Sequence, residues 1–402
     1  MRKKEVLTLM YRDLEVLSFS VDYKKSRIEF LEKLEHFERA PYGINENTPD
    51  ISMKLLRFFN SRSIPSTRYD YEDILKATGC ENGFELSFKG HGLSLSNHYW
   101  FKRKGENYKY ADINFFTNKW DDSFARAVLS RDYEALKHCD LNVPDIVTPG
   151  WGSKGWIFDD GPKLYKLGIA KDNPEEAIAE ALASKIAAKL FNEGEYLNYE
   201  LKQYNGQYAS VSSPIVGINE ELIPLSNAVD PSLYLIYRSR NTDKTQSKVF
   251  FDRLDNCAVP GIREFFIKVS CFRDLCFVSD LHFDNISIIR DLTTGKLRLA
   301  PLFDLGGAFG SSKTGRETIR SANRATLFMI YFMFSDLDPE WDYSWYDPKR
   351  LEGSKELIEE YLSKSEFYNH DIIECIFEIF DHQKAVLDEF AKNSKKNKMF
   401  RV

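Results

Sequence analysis

Residues 271–310 read CFRDLCFVSDLHFDNISIIRDLTTGKLRLAPLFDLGGAFG. Two short apolar runs, NISII at 285–289 and KLRLAPLF at 296–303, flank a turn-like Asp-Leu-Thr-Thr-Gly. That pattern is the signature of a β-hairpin. An acidic residue stands at each end of it. Asp280 precedes the first strand and is followed by Asn285 at D-x-x-x-x-N spacing; Asp304 closes the second strand, in Asp304-Leu305-Gly306. Phosphoryl transfer needs such a set: one carboxylate to accept or orient the proton of the attacking hydroxyl, and an Asn and a second Asp to hold Mg²⁺ against nucleotide phosphates. A hairpin brings ends that are distant in sequence into one small volume. Asp and Asn also suit turns at strand ends, and either motif alone is common in a chain of 402 residues. The reading rests on both together, in order, around an apolar hairpin.

The totals bound the rest. A chain of 402 residues can bury one large core or two to three ordinary ones. Hydrophobic and charged fractions of 43% and 29% are those of a globular protein, and 14% aromatic residues favour packing over disorder. A net charge of −6 gives no global case for nucleic acid or anionic membrane. The six cysteines (Cys80, Cys139, Cys257, Cys271, Cys276 and Cys375) form no C-x-x-C pair and read as buried reduced thiols. The start MRKKEVLTLM is basic, but Asp13 and Glu15 follow at once, and no apolar run approaches ~18 residues. No signal peptide or membrane span is expected, and a cytoplasmic location is.

Residues 1–145 are expected to form a mixed α/β N-terminal accessory region. Its first 37 residues mix β-like alternation with a short helical run. Helices are expected at ISMKLLRFFNSR and at YDYEDILKATG, the latter ended by Gly79. His91 and His98 lack a carboxylate or Cys at ligand spacing and read as loop or core histidines. Tyr99, Trp100 and Phe101, beside Lys102, Arg103 and Lys104, offer a base-stacking surface or the aromatic edge of a core; the core edge is the simpler reading.

A second region opens at Pro149-Gly150-Trp151-Gly152-Ser153-Lys154-Gly155-Trp156. Its three glycines let backbone approach something bulky and anionic, or make a plain turn; no G-K-[ST] ends it, so it is not a Walker A loop. Trp156-Ile157-Phe158 and Lys163–Leu167 then read as a hairpin across Asp-Asp-Gly-Pro. A glycine loop over phosphates followed by a lysine-bearing strand is the arrangement of a kinase N-lobe. Lys166 is mid-strand; Lys163, beside the turn, is the alternative. A strong helix follows in NPEEAIAEALASKIAAKLF, with Pro174 in its first turn and Ile178, Leu182, Ile186 and Leu190 as an apolar ridge. Glu176, Glu180, Ser184 and Ala187 share another face. A kinase needs one such glutamate to fix its strand lysine, and Glu180 is favoured over Glu176. YLNYELKQYNGQYASVSSPIV reads as two strands across Asn205-Gly206, with a hinge near Ser212, Ser213 and Pro214. From about 216 to the opening hairpin the pattern reads as mostly helical, REFFIKVSCFRDLCFVS being a buried helix that delivers Asp280. After Gly307 the segment SSKTGRETIRSANRATLF sits where an activation or substrate loop would, with Ser311, Ser312, Thr314 and Thr318 as hydroxyls. Amphipathic helices follow, then a frayed tail, 391–402.

The runs S-D-L-H-F-D-N-I-S-I-I and L-A-P-L-F-D resemble the HipA-like serine/threonine kinases, the kinase toxins of bacterial toxin–antitoxin systems and their relatives. The likeness covers roughly residues 145–330 and is most specific from 278 to 306. It implies Asp280 as the catalytic aspartate, His282 as the loop histidine, and Asn285 and Asp304 as Mg²⁺ ligands. It further implies Gly152, Ser153, Lys154 and Gly155 in an ATP phosphate loop, Lys166 as the ATP-binding lysine and Glu180 as its partner. Ser153 matches a position that some members phosphorylate themselves. More loosely, LSLSNHYWFKRK through INFFTNKW is similar to the N-terminal part of HipA-like proteins from Gram-positive bacteria. One departure is Asp284, where the family often carries a basic residue; a third carboxylate disfavours a nucleotide unless metal neutralises it.

The expectation is therefore an α+β, bilobal, protein-kinase-like fold: accessory region 1–145, N-lobe 146–215, helical C-lobe 216–390 with the catalytic hairpin. It would use ATP and Mg²⁺ to phosphorylate a protein Ser or Thr, with an antitoxin as partner and neither membrane nor direct nucleic-acid binding. Two rivals are a pseudokinase that holds a partner protein, favoured by Asp284, and a kinase for a small molecule or lipid headgroup.

Overall fold

The computed structural model describes residues 4–168, 174–228, 233, 244–255, 259–279, 285–312, 315–317, 319 and 341–399. Asp280, His282, Asp284, Cys257, Thr314 and Thr318 lie outside the described residues. The chain divides into two compact units, one of residues 1–170, 213–223 and 290–295, the other of 171–212, 224–289 and 296–402.

The first unit begins with an antiparallel sheet. Strands β1 (Glu5–Tyr11), β2 (Leu14–Asp22), β3 (Arg27–Lys33) and β4 (Tyr99–Arg103) are ordered β3-β2-β1-β4. The helical run expected near the start is β3 followed by a single 3₁₀ turn, Phe37–Arg39. Cross-strand pairing of Ile28 with Val21 and of Phe30 with Phe19 outweighs local helix propensity there. One face of the sheet buries Leu7, Leu9, Tyr11, Phe19, Val21, Tyr99 and Phe101 against Leu55 and Phe59 of helix α1 (Ile51–Asn60). Tyr99, Trp100 and Phe101 are thus core. Helix α2 (Tyr71–Thr78) ends at Gly79, whose φ of +64° is the left-handed turn that stops it. Helix α3 (Ser123–Ser130) buries Phe124, Ala125, Ala127, Val128 and Leu129. The expected hairpin is present as β5 (Lys154–Phe158) and β6 (Pro162–Leu167), turning through Asp160 and Gly161 at positive φ.

The second unit is built on helix α4 (Glu175–Leu190), whose ridge Ile178, Leu182, Ile186 and Leu190 is buried as the four-residue spacing predicts. Strands β7 (Glu200–Tyr204) and β8 (Gln207–Ser212) turn at Asn205-Gly206, both at positive φ. Among the described residues after 216, one element is a strand where helix was expected. Strand β9 (Glu220–Pro224), all but its last residue in the first unit, precedes helices α5 (Lys244–Leu254) and α6 (Ile262–Cys276). β9 forms because its neighbours supply backbone partners on both sides: the Leu222 N–H donates to the Ser96 carbonyl, and the Leu225 N–H just beyond donates to the Ile286 carbonyl. α6 buries Cys271 and Cys276, and burial pushes both thiols up, away from reactive thiolate.

The opening hairpin is β10 (Ser287–Asp291) and β11 (Leu297–Leu299). β11 stops short of the expected KLRLAPLF strand. Pro301 lacks the N–H that a ladder needs, and Leu302 instead makes one parallel bridge to Tyr196. Asp304 therefore does not close a strand; it sits beyond it in a turn, at φ +60°. The turn of the hairpin belongs to the first unit. There Arg290 pairs with buried Glu221 at 2.7 Å, the Leu292 N–H donates to the Asn219 carbonyl, and the Leu292 side chain packs on the β1–β4 core.

Helices α7 (Ser354–Leu362) and α8 (His370–Met399) complete the second unit. The tail expected from 391 is helical to Met399, since Ala391 is buried and the Ser394 hydroxyl accepts from the Tyr343 N–H. Among the described residues no helix is long and apolar enough to cross a membrane.

Candidate functional site

The site residues that lie in the second unit centre on the Asp304 turn. Three positions of α4 at helical spacing address three successive residues of that turn. Ser184 accepts from the Tyr199 N–H at 2.9 Å and donates to the Leu197 carbonyl, which fixes Tyr199. The Tyr199 hydroxyl in turn accepts from the Asp304 N–H at 3.2 Å. One turn earlier, Glu180 Oε1 accepts from the Leu305 N–H at 3.1 Å, and its Oε2 takes the Ser210 hydroxyl of β8. One turn earlier again, Glu176 lies under Gly306, where an added Cβ would make ordinary contact with it. The face Glu176–Glu180–Ser184, legible at four-residue spacing, is thus the cradle of Asp304-Leu305-Gly306.

Glu180 is 1% exposed, and the Ser210 hydroxyl and the Leu305 N–H help offset the desolvation of burying its carboxylate. Asp304 is half-buried, and the cradle reaches it through its backbone N–H. Asn285 is buried just ahead of β10. The Ala300 N–H donates to the Ser287 carbonyl, so Asn285 and Asp304 leave the hairpin at the same end. An amide oxygen and a carboxylate are hard donors suited to Mg²⁺, which binds through one or two such groups with phosphates and waters supplying the rest. The donor set fits the ion.

The segment after the turn is anchored among its described residues. Ser311 is buried, its hydroxyl donating to the Gly306 and Ala308 carbonyls. Arg316 pairs with buried Glu175 at 3.0 Å. As a phosphate acceptor, Ser311 would first have to break both of its bonds.

The glycine loop lies in the first unit. Gly150 is the position that needs glycine, because its φ of +119° is one that L side chains rarely adopt; the Lys154 Nζ folds back over it. At Gly155 the close approach is to Ala125 of α3, with a built Cβ 2.7 Å from its side chain. Gly152 faces the Leu167 carbonyl. Lys154 and Lys166 are direct cross-strand partners in β5 and β6, so two cations share one face beside the loop. Lys163, the alternative lysine, donates to the Ser213 hydroxyl.

Ser153 is fully buried, and its hydroxyl donates to Asp70 Oδ2 at 2.8 Å. Asp70 and Arg68, with Tyr199 and Ser210 above, are residues that the sequence reading missed. Asp70 stands at the start of α2, where an Asp is ordinarily a helix cap; here its side chain caps nothing and goes to Ser153 and Arg68. His98 is a core histidine, held between the Tyr110 hydroxyl and the Glu220 carbonyl, its pKa pushed down to about 4 chiefly by burial.

No family model matches the chain. A segment is 28% identical over 106 residues to the F420-dependent formate dehydrogenase 1 subunit alpha of Methanococcus maripaludis, covering 24% of this chain and 16% of that subunit. The chain thus spans about a sixth of that curated relative's length. Among solved structures, a chain of the Shewanella oneidensis MR-1 toxin–antitoxin complex of HipA, HipB and operator DNA aligns over 96% of this chain and 99% of its own, with TM-score 0.53 and 13% identity. The Helicobacter pylori proinflammatory kinase CtkA aligns over 60% of this chain and 92% of its own, with TM-score 0.43 and 14% identity. The toxin–antitoxin likeness is one of fold: an α+β chain resembling the HipA-like architecture along nearly its whole length.

Proposed function

We propose that this chain is an ATP- and Mg²⁺-dependent phosphotransferase of the HipA-like protein serine/threonine kinase type. The observation that carries the reading is the clamp on Asp304-Leu305-Gly306 by Glu180 and by Ser184 through Tyr199. A carboxylate that must hold a metal against phosphates has to be pre-positioned, and two backbone-directed contacts from one helix, one direct and one relayed by Tyr199, support that. In this reading Asn285 and Asp304 would hold Mg²⁺, which supplies charge neutralisation at the phosphates. Lys166 and Lys154 would meet ATP phosphates under the 150–155 loop. Asp280, with His282 nearby in sequence, would orient the acceptor hydroxyl. The acceptor is a Ser or Thr of a protein, the cell compartment is the cytoplasm, and the fold likeness to a toxin–antitoxin complex supports a protein partner such as an antitoxin. The rival reading, a pseudokinase that holds its partner without turnover, is favoured by Asp284.

Self-phosphorylation at Ser153 is part of the proposal. Its hydroxyl is buried on Asp70, so the loop must release it before phosphate can be added. Intact mass after incubation with ATP and Mg²⁺ tests both points on wild type, Asp280→Ala and Ser153→Ala. Added phosphate is expected on wild type alone. Equal phosphate on Ser153→Ala would move the acceptor elsewhere, and equal phosphate on Asp280→Ala would remove Asp280 from the chemistry.

A further inference from the structure

β5 ends on one side without a strand in the first unit, and side chains of the accessory region take its place. The Lys154 carbonyl accepts from Arg68 Nη2 at 3.2 Å, the Trp156 N–H donates to Asp145 Oδ1 at 2.8 Å, and the Phe158 N–H donates to Asp122 Oδ2 at 3.1 Å. These three residues alternate along β5 with Gly155 and Ile157, and the whole strand is in register with β6 on its other side. The contact continues past the strand into the loop. The Tyr69 N–H donates to the Trp151 carbonyl at 3.2 Å, and Ser153 Oγ donates to Asp70 Oδ2. Asp70 Oδ1 accepts from Arg68 Nε at 2.7 Å, with both side chains essentially inaccessible. Ser153 thereby meets a carboxylate whose position is itself fixed, while Trp151, one residue past the glycine hinge, is 61% exposed.

We infer that the Arg68–Asp70 segment of the accessory region is the seat of the 150–155 loop, and that Asp70 and Arg68 are positioning residues for whatever anion that loop holds. Burial alone does not place a loop with three glycines, because glycine backbone is free to move. Three hydrogen bonds from one tripeptide, at Trp151, Ser153 and Lys154, remove that freedom. A hydrogen bond to a buried carboxylate is among the stronger kinds, and Arg68 serves Asp70 and the Lys154 carbonyl at once. The consequence for function rests on the proposed nucleotide reading: the accessory region would set ATP affinity through this seat without touching ATP. Anything that draws Asp70 away would loosen the loop.

The test is amide hydrogen exchange over residues 150–155 of the full chain, in wild type, Ser153→Ala, Asp70→Ala and the double variant, with ATP affinity measured on each. Ser153→Ala leaves the Arg68–Asp70 pair intact and keeps the test decisive if Asp70→Ala does not fold. Loss of the bond is expected to speed exchange across 150–155 by on the order of tenfold or more. Exchange in α3 and β8 should stay unchanged, and the double variant should go no further than Asp70→Ala. ATP affinity should fall in step. Unchanged exchange at 150–155 in Ser153→Ala would overturn the seat, as would a rise spread evenly over the first unit. Faster local exchange with a wild type that binds no ATP would leave the seat standing and overturn the nucleotide reading instead.

Discussion

Asp145 shows at a single residue how the accessory region pays for covering β5. Its Oδ1 takes the Trp156 N–H, but its Oδ2 is buried without a hydrogen-bond partner among the described residues. Burial pushes its carboxyl up to about 7, against the pull of that N–H and of Arg68, while Asp122 adds a little to the rise. The folded state therefore keeps a proton that the unfolded state releases near pH 4. Its contribution to stability is greatest below that pH and is lost as pH rises through about 7. Asp145→Asn keeps the acceptor and removes the titration. Its melting temperature relative to wild type is expected to rise between pH 5 and pH 8; a difference that stays constant across that range would contradict the assignment. None of this was legible in the sequence, where Asp145 stands just ahead of the glycine loop and belongs to no motif. Asp70 was not singled out either: it falls within the expected helix YDYEDILKATG, and in the structure it stands just ahead of α2 without capping it.

At the scale of elements, the parts with local signals were readable. Asn205-Gly206 marked β7 and β8, Asp-Asp-Gly-Pro marked β5 and β6, and the Ile178–Leu190 ridge marked α4. The face of α4 that bears Glu180 was readable as a face, with Glu180 expected to partner Lys166; its contacts to the 304–306 turn were not, because Tyr199 and Leu305 reach it from outside the helix. β3 and β9 were missed because cross-strand partners, not their own sequences, make them strands. The α4 cradle has a measurable weight. Glu180→Ala leaves the Leu305 N–H and the Ser210 hydroxyl without their buried acceptor, each a loss of about 1–3 kcal/mol. Urea unfolding should register a total near the middle of that sum, whereas Glu180→Gln, whose amide oxygen still accepts, should lose less than half as much. Equal losses in the two variants would mean that packing, not hydrogen bonding, holds the turn.

Over the whole molecule, the order of the parts was legible and their distribution was not. The sequence placed the glycine loop, the lysine strand, the glutamate helix and the metal-type hairpin in sequence order. Each unit, however, is assembled from three separate segments of chain. The turn of the β10–β11 hairpin packs in the first unit through Arg290 and Leu292, while Asn285 and Asp304 belong to the second. Such long-range assignments carry no local sequence signal. What ties the parts to one function is the claim that Asn285 and Asp304 hold Mg²⁺ on a nucleotide. Calorimetric titration of ATP into the full chain, with and without Mg²⁺, tests it most directly on wild type beside Asp304→Ala. The expected result is Mg²⁺-dependent binding to wild type that weakens at least tenfold in Asp304→Ala, roughly the loss of one charge-assisted contact. No binding to wild type, or equal affinity in the two proteins, would contradict it.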